Sequence, residues 1–218
     1  MIKFVDEAEC RRYRSYCSIA LKKVCSKLME KEISAQFTLV GSGARNMVTR
    51  NGNGSYDLDY NLEIIKAPNE YWKDLRHLKG TVRILLNEAT WLQCFSDSKD
   101  STSCLTSIFH FKNEPTIEFK FDVAIVAQNP NGTLCRLIHN KNALGYGIDQ
   151  HVWNEIPYSH DALKAKCIKA EGLWLDVRNQ YVGLKEMYLS RLWDKEHPSF
   201  IVYIEAVNNI YNKYFEKI

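Results

Sequence analysis

The sequence predicts an α+β fold, in which a mixed β-sheet is flanked by helices and followed by a C-terminal helical segment. The pattern of apolar residues supports this prediction. Their spacing is helical near the N-terminus, alternates through the middle of the chain and becomes helical again in the last third. The 218 residues suffice for one large domain with an appendage. We expect an α/β domain over 1–145 and a helical cap over 146–218.

The first half of the chain is predicted to alternate helices and strands. Residues 7–32 form an amphipathic helix, because apolar residues recur at spacings of three and four. Residues 36–41 form a short strand and 44–49 a short helical turn. Residues 57–65 alternate apolar and polar side chains, which is typical of a half-buried strand. Residues 69–93 have the period of a second long helix.

The second half is predicted as strands that lead into helices. Residues 104–111 and 116–127 form a hairpin around Asn113-Glu114-Pro115, and 133–139 form a further strand after a strong turn. Residues 140–158 lack a regular period.

The last third is predicted to be helical. Ser159 is a suitable N-cap, and helical spacing then continues to Pro198, which breaks it. A last helix starts near Phe200.

The composition excludes several classes of protein. Hydrophobic residues make up 45% and charged residues 25% of the chain, which excludes disordered, collagen-like and disulfide-rich proteins. No apolar run reaches the ~18 residues of a membrane span, and the acidic start is not a signal peptide, so we expect no membrane association. The seven cysteines form no C-x-x-C pair, which favours reduced thiols and a cytoplasmic location. The net charge of +3 neither requires nor excludes an anionic partner.

Three polar features stand out against this scaffold. Gly41-Ser42 ends a strand, where small residues allow close backbone approach and free N–H groups can hold a phosphate. Asp57 and Asp59 share one face of a strand and repel each other unless a cation such as Mg²⁺ offsets their charge. Asp122 lies between apolar neighbours, so its own face must meet something polar. Taken singly, these features are also explained by a plain turn, a solvated acidic edge and a salt bridge.

In combination the three features are more specific. Leu39-Val40-Gly41-Ser42, Asp57-Leu58-Asp59-Tyr60 and Phe121-Asp122-Val123 resemble the motifs of the DNA polymerase β-like nucleotidyltransferase superfamily. The resemblance covers roughly residues 30–127 and is to small prokaryotic-type members, without identifying a subfamily. It implies a nucleotidyltransferase-like mixed β-sheet, with residues 1–145 as the catalytic domain.

The resemblance also implies an activity: transfer of a nucleoside monophosphate from an NTP such as ATP to a hydroxyl, with release of pyrophosphate. Asp57, Asp59 and Asp122 would be catalytic and would hold two Mg²⁺ ions, or Mn²⁺, about 3.5–4 Å apart. The turn formed by Gly41, Ser42 and Gly43 would bind the β- and γ-phosphates.

Other residues are weaker candidates for the same site. Arg45 and Lys164 are expected to bind nucleotide phosphates, although each is also an ordinary surface cation. A base would stack on one of three aromatic residues that are also suited to packing: Tyr146, Trp153 or Tyr158.

Two glutamates, Glu63 and Glu118, compete with Asp122 as the third acid. Asp122 is preferred because both of its neighbours are apolar, as the superfamily motif requires.

The acceptor stays open: an RNA end, a second nucleotide, a small molecule or a protein hydroxyl. The main alternative is a catalytically inactive nucleotide-binding module that acts through a protein partner, and the presence of all three acids counts against it. Arg191 and His197 form an R-x₅-H pattern similar to that of HEPN ribonucleases, a short pattern that also arises by chance. The remaining histidines show no zinc-ligand spacing.

Overall fold

A computed structural model of the protein describes residues 1–91, 95–110, 118–143, 145–157, 161–191 and 198–216. The chain divides into two compact units. The first, called the sheet unit, comprises Val5–Val48 and Asn53–Ile156. The second, called the helical unit, comprises Met1–Phe4, Thr49–Gly52 and Pro157–Ile218.

The regular elements confirm a mixed α/β architecture. The strands are β1 (Ile2–Phe4), β2 (Ser34–Val40), β3 (Thr49–Asn51), β4 (Tyr56–Lys66), β5 (Lys99–Asp100), β6 (Leu105–His110), β7 (Glu118–Gln128), β8 (Leu134–Asn140) and β9 (Gln150–Glu155). The helices are α1 (Glu7–Met29), α2 (Gly41–Ala44), α3 (Asn69–Lys73), α4 (Leu75–Thr90), α5 (Asp161–Ala170), α6 (Trp174–Ser190) and α7 (Ser199–Phe215).

Among the described residues of the sheet unit, seven strands form one mixed sheet in the order β2-β4-β7-β6-β5, and β8 joins β7 and β9. The central strands β4 and β7 are parallel, and the other neighbours are antiparallel. Strand β7 therefore has β4 along one edge, and β6 and then β8 along the other.

One face of this sheet forms the core. Alternate residues of β4 and β7, such as Leu58 and Phe121, are buried in a cluster shared with α1 and α4. Tyr13 of α1 stacks on Phe119 with ring centroids 4.8 Å apart. Because successive side chains of a strand point to opposite faces, the polar residues of β4 and β7 lie on the other face.

The helical unit is described by itself. Helices α6 and α7 are joined by a hydrogen bond from the Tyr188 hydroxyl to Glu205 (2.7 Å), and they bury apolar residues such as Val177 and Val207. Strands β1 and β3 pair antiparallel, and the backbone N–H of Ile2 donates to Glu186 of α6 (2.9 Å). In the described parts of both units, no helix is long and apolar enough to cross a membrane.

Several sequence-predicted boundaries are wrong in the sheet unit. The helical turn expected at 44–49 is α2, which begins at Gly41. The helix expected at 69–93 is broken at Asp74, whose carboxylate accepts from the His77 backbone N–H (2.9 Å) and so caps α4. The segment 140–158, expected to be irregular, contains β9, which pairs with β8.

The helix expected from Ser159 onward is also divided. Gly172 adopts φ +71° after α5, a conformation that ends a helix and favours glycine, and α6 starts at Trp174. Ser159 and the predicted hairpin turn at 113–115 lie outside the described residues, although β6 and β7 pair antiparallel as expected. The domain boundary at 145/146 stays a prediction; β9 belongs to the sheet unit.

Candidate active site

Strands β4 and β7 bring three carboxylates together on the polar face of the sheet. Asp59 lies beside Asp122 in the parallel register, and Asp57 shares the face of Asp59 two residues earlier. One carboxylate oxygen from each residue lies within 4.8 Å of the other two. The three acids singled out in the sequence therefore form one group, and their catalytic and metal-binding roles stay predictions.

The group is electrostatically strained. Burial, reinforced by the charges of Asp57 and Asp122, raises the pKa of Asp59 to about 7, against the lowering influence of Arg136 and Arg45. Burial also raises the pKa of Asp122, which a hydrogen bond from the Thr106 hydroxyl opposes. A bound cation would relieve this repulsion.

The glycine turn lies directly against these acids. Gly41, the first residue of α2, has φ +61°, and a Cβ built on it would collide with the Asp59 carboxylate. A Cβ on Gly43 would lie 2.9 Å from a methyl carbon of Leu39. Arg14 of α1 donates a hydrogen bond to the Gly43 carbonyl (2.7 Å) and so links the turn to α1. Gly41 is therefore favoured by both close packing and its backbone conformation, whereas a side chain at Gly43 would require the end of the Leu39 side chain to move.

The other predicted nucleotide-binding residues are divided between the glycine turn and the helical unit. Ser42 belongs to the α2 turn, and its carbonyl accepts from the Met47 backbone N–H (2.9 Å). Arg45 follows the turn, and its charge opposes the rise in the pKa of Asp59, so it acts on the acidic group. Lys164 belongs to α5 of the helical unit, where it donates to Asn208 (2.9 Å) and lies over the Tyr211 ring. Its predicted contact with a nucleotide stays a prediction.

Of the two rival acids, Glu63 is held elsewhere. It accepts hydrogen bonds from Gln36 (2.7 Å) and Gln128 (3.1 Å), four residues beyond Asp59 on the same strand. The side chain of Glu118 lies outside the described part of the chain.

The predicted stacking aromatics have different surroundings. Trp153 of β9 packs against Trp72 with ring centroids 6.0 Å apart, so its ring already has a packing role. Tyr146 is fully exposed. Tyr158 and His197, the latter from the R-x₅-H pattern, lie outside the described residues.

Two residues near the acids escaped the sequence analysis. Thr106 of β6 is opposite Asp122 in the antiparallel register, and Arg136 of β8 is opposite Val126, on the same face of β7 as Asp122. Neither residue belongs to a recognisable sequence motif. The strand alternation at 104–111 could have placed Thr106 on one face, but only the register shows that this face carries Asp122.

A second group of possible metal ligands exists among the described residues. Atoms of Asp100, His139 and His151 lie within 4.8 Å of one another. However, Asp100 is paired with the buried Lys79 (2.7 Å), and the ring nitrogens of His139 face Asp100 (3.0 Å) and Asp149 (2.7 Å).

The arrangement of the two histidine rings in this second group is unsuited to binding one metal ion. The His139 and His151 rings are stacked, with planes 15° apart and centroids 4.2 Å apart. Lone pairs of imidazole nitrogens lie in the ring plane, so those of parallel rings point side by side instead of converging on one ion. We interpret this group as one ion pair, Lys79–Asp100, extended by hydrogen bonds of His139, which together join α4, β5 and β8.

The raised pKa of Asp59 predicts how stability depends on pH. The folded state binds a proton between pH ~4, the pKa of an unfolded aspartate, and about 7, the pKa of Asp59 in the folded state. The free energy of unfolding of the metal-free protein should therefore fall as the pH rises through this range, by at most about 1.4 kcal/mol per pH unit. Asp59→Asn, which has no carboxyl group to titrate at this position, should lack this fall. Urea unfolding of both proteins in EDTA measures this difference. Parallel pH profiles for the two proteins would contradict it.

Comparisons with known proteins rest on structure. No protein-family model matches the sequence, and no curated protein matches it. The structure is similar to E. coli MS115-1 CdnC in its complex with HORMA-deltaN, with a TM-score of 0.53 and 16% identity over 94% of this chain and 60% of that chain. It is also similar to the Elizabethkingia meningoseptica CdnE cyclic dinucleotide synthase with GTP and Apcpp, with a TM-score of 0.53 and 15% identity over 95% of this chain and 71% of that chain.

A third similar structure is a variant of the Vibrio cholerae di-nucleotide cyclase DncV in complex with ligands that include ATP and GTP. Its TM-score is 0.60, with 9% identity over 94% of this chain and 68% of that chain. This chain therefore spans about three fifths of the length of CdnC and about two thirds of the lengths of the other two. Identities this low establish the fold alone. The resemblance suggested by the Gly-Ser turn and the three aspartates is confirmed at that level: the chain has the fold of the DNA polymerase β-like nucleotidyltransferase superfamily.

Proposed function

We propose that this protein is a metal-dependent nucleotidyltransferase that moves a nucleoside monophosphate from an NTP to a hydroxyl of a second nucleotide and releases pyrophosphate. The observation that carries the proposal is the group of three carboxylates on β4 and β7, which lie within 4.8 Å of one another and against a glycine turn. The nucleotide acceptor is supported by the structural neighbours, which include a cyclic dinucleotide synthase and a di-nucleotide cyclase.

The acidic group fits divalent metal ions. It offers carboxylate oxygens, the ligand type that Mg²⁺ prefers. Burial first, and then the charges of Asp57 and Asp122, raise the pKa of Asp59, and a bound cation would offset both effects. Asp57, Asp59 and Asp122 would hold Mg²⁺, with Mn²⁺ as a possible substitute. Such ions stabilise charge on the triphosphate and lower the pKa of an attacking hydroxyl.

The protein residues around the acids would position the donor. Backbone N–H groups of Gly41, Ser42 and Gly43, with the Ser42 hydroxyl, would bind the β- and γ-phosphates. Because Gly41 has no side chain, phosphates can approach the backbone next to Asp59. The charge of Arg45, which already acts on Asp59, would offset phosphate charge.

The proposed reaction can be tested with α-³²P-labelled NTPs, supplied singly and in pairs with Mg²⁺ or Mn²⁺. We expect metal-dependent release of pyrophosphate and a labelled product that resists phosphatase, because a phosphate that joins two nucleosides is internal. Asp57→Asn serves as the inactive control.

Other outcomes of the same assay would contradict the proposal. The assay is repeated with RNA, small hydroxyl compounds or protein added as acceptors. If label enters one of these but not nucleotides, the proposed acceptor is wrong. If the protein binds NTPs without releasing pyrophosphate with any of these acceptors, it is a nucleotide-binding module.

A further inference from the structure

Thr106 of β6 contacts one of the three acids directly. It lies opposite Asp122 in the antiparallel pair of β6 and β7, and its Oγ1 hydroxyl donates a hydrogen bond to Asp122 Oδ1. Directly opposed residues of neighbouring strands share a face of the sheet, so Thr106 belongs to the polar face that carries the acidic group.

The surroundings of Thr106 hold its hydroxyl in this orientation. The Cys104 thiol lies 3.6 Å from Thr106 Oγ1, and the Ser101 hydroxyl lies 3.0 Å from the sulfur. A threonine hydroxyl has one proton and an ionised carboxylate has none. The Thr106 proton is donated to Asp122, and a side-chain hydrogen bond from Cys104 also acts on that carboxylate.

We propose that Thr106 is a positioning residue for Asp122: its hydroxyl holds Oδ1 and restricts rotation of the carboxylate, so that Asp122 is oriented to bind the metal. This inference rests on the proposed function, in which Asp122 is a metal ligand. The terminal torsion of an aspartate is broad, so an unrestrained carboxylate samples many orientations. Hydrogen-bonded partners behind metal ligands typically improve metal affinity by about 10–100-fold.

The alternative is that Thr106 only supports strand pairing, as β-branched residues do. The two roles differ in what the hydroxyl contributes. A supporting residue needs the branched shape, which valine keeps, whereas a positioning residue needs the hydroxyl, which serine keeps.

The test measures Mn²⁺ affinity by electron paramagnetic resonance for the wild type, Thr106→Val and Thr106→Ser. We expect Thr106→Val to weaken Mn²⁺ binding by about 10–100-fold, and Thr106→Ser to retain most of the affinity. Thr38→Val is the matched control, because it makes the same change on β2 of the same sheet. Thermal unfolding of each variant verifies that it is folded.

Three results would overturn the inference. Wild-type affinity in a folded Thr106→Val protein would exclude a contribution of the hydroxyl. Equal losses in Thr106→Val and Thr106→Ser would show that the hydroxyl is not the cause. If Thr106→Val does not fold, the test rests on Thr106→Ser, which keeps the hydroxyl. A loss of Mn²⁺ affinity in Thr106→Ser as large as that in Asp122→Asn would contradict the proposal.

An additional comparison separates this inference from the proposed function. If the wild type binds Mn²⁺ and Asp122→Asn weakens that binding, Asp122 is a ligand, and an unaffected Thr106→Val overturns the role of Thr106 alone. If the wild type neither binds Mn²⁺ nor releases pyrophosphate from NTPs, the proposed function itself fails.

Discussion

Asp59→Asn is expected to lower nucleotidyl transfer by at least about 10³-fold, which corresponds to about 4 kcal/mol of transition-state stabilisation. Asp59 is the central acid of the group, because it pairs with Asp122 across the strands and shares the face of Asp57. An amide of the same shape removes the negative charge that would hold the metal while preserving the packing around it. Pyrophosphate release under saturating NTP and Mg²⁺ measures the effect.

The matched control for this prediction is Glu63→Gln. Glu63 lies on the same strand and face as Asp59, and its carboxylate accepts hydrogen bonds from Gln36 and Gln128. We expect this variant to keep activity within about twofold, because Glu63 lies four residues beyond Asp59 along β4, about 13 Å away at the rise of an extended strand. The role of Asp59 would be contradicted by substantial activity in a folded Asp59→Asn protein, or by an equal loss in both variants.

Gly41→Ala is expected to reduce transfer by at least about 10²-fold, about 2.7 kcal/mol in the barrier. The added Cβ would collide with the Asp59 carboxylate, so either the turn or the carboxylate must move. The φ of +61° at Gly41 adds backbone strain of about 1–2 kcal/mol for a residue with a Cβ. Urea unfolding measures the loss of stability caused by the strain. The rate of pyrophosphate release measures how far the movement of the turn or of the Asp59 carboxylate impairs the reaction.

Gly52→Ala separates these two effects. Gly52 has a similar φ of +57°, but a Cβ there has nothing within 4 Å. We expect this variant to carry the backbone strain and to keep its activity. If Gly41→Ala and Gly52→Ala lose the same stability and are equally active, close packing of the turn against Asp59 is not required for the reaction.

Local sequence patterns are sufficient to predict the two strands that carry the acids. The alternation over 57–65 placed Asp57 and Asp59 on one face of a strand, and the structure contains that strand as β4. The apolar neighbours of Asp122 indicated a buried strand, which is β7. The same patterns missed β9, whose segment has no regular apolar alternation and becomes a strand by pairing with β8.

The sequence by itself determined the period of each long element, the glycine turn and the identity of the three acids, because these depend on side chains a few positions apart. Only the tertiary structure decided the rest: that β4 and β7 pair in parallel with Asp59 beside Asp122, and that Thr106 lies opposite Asp122. Strand register depends on contacts between distant parts of the chain, and a shift by one residue would turn each side chain to the other face. Local spacing therefore identified the chemical groups, and long-range pairing in the sheet brought them together.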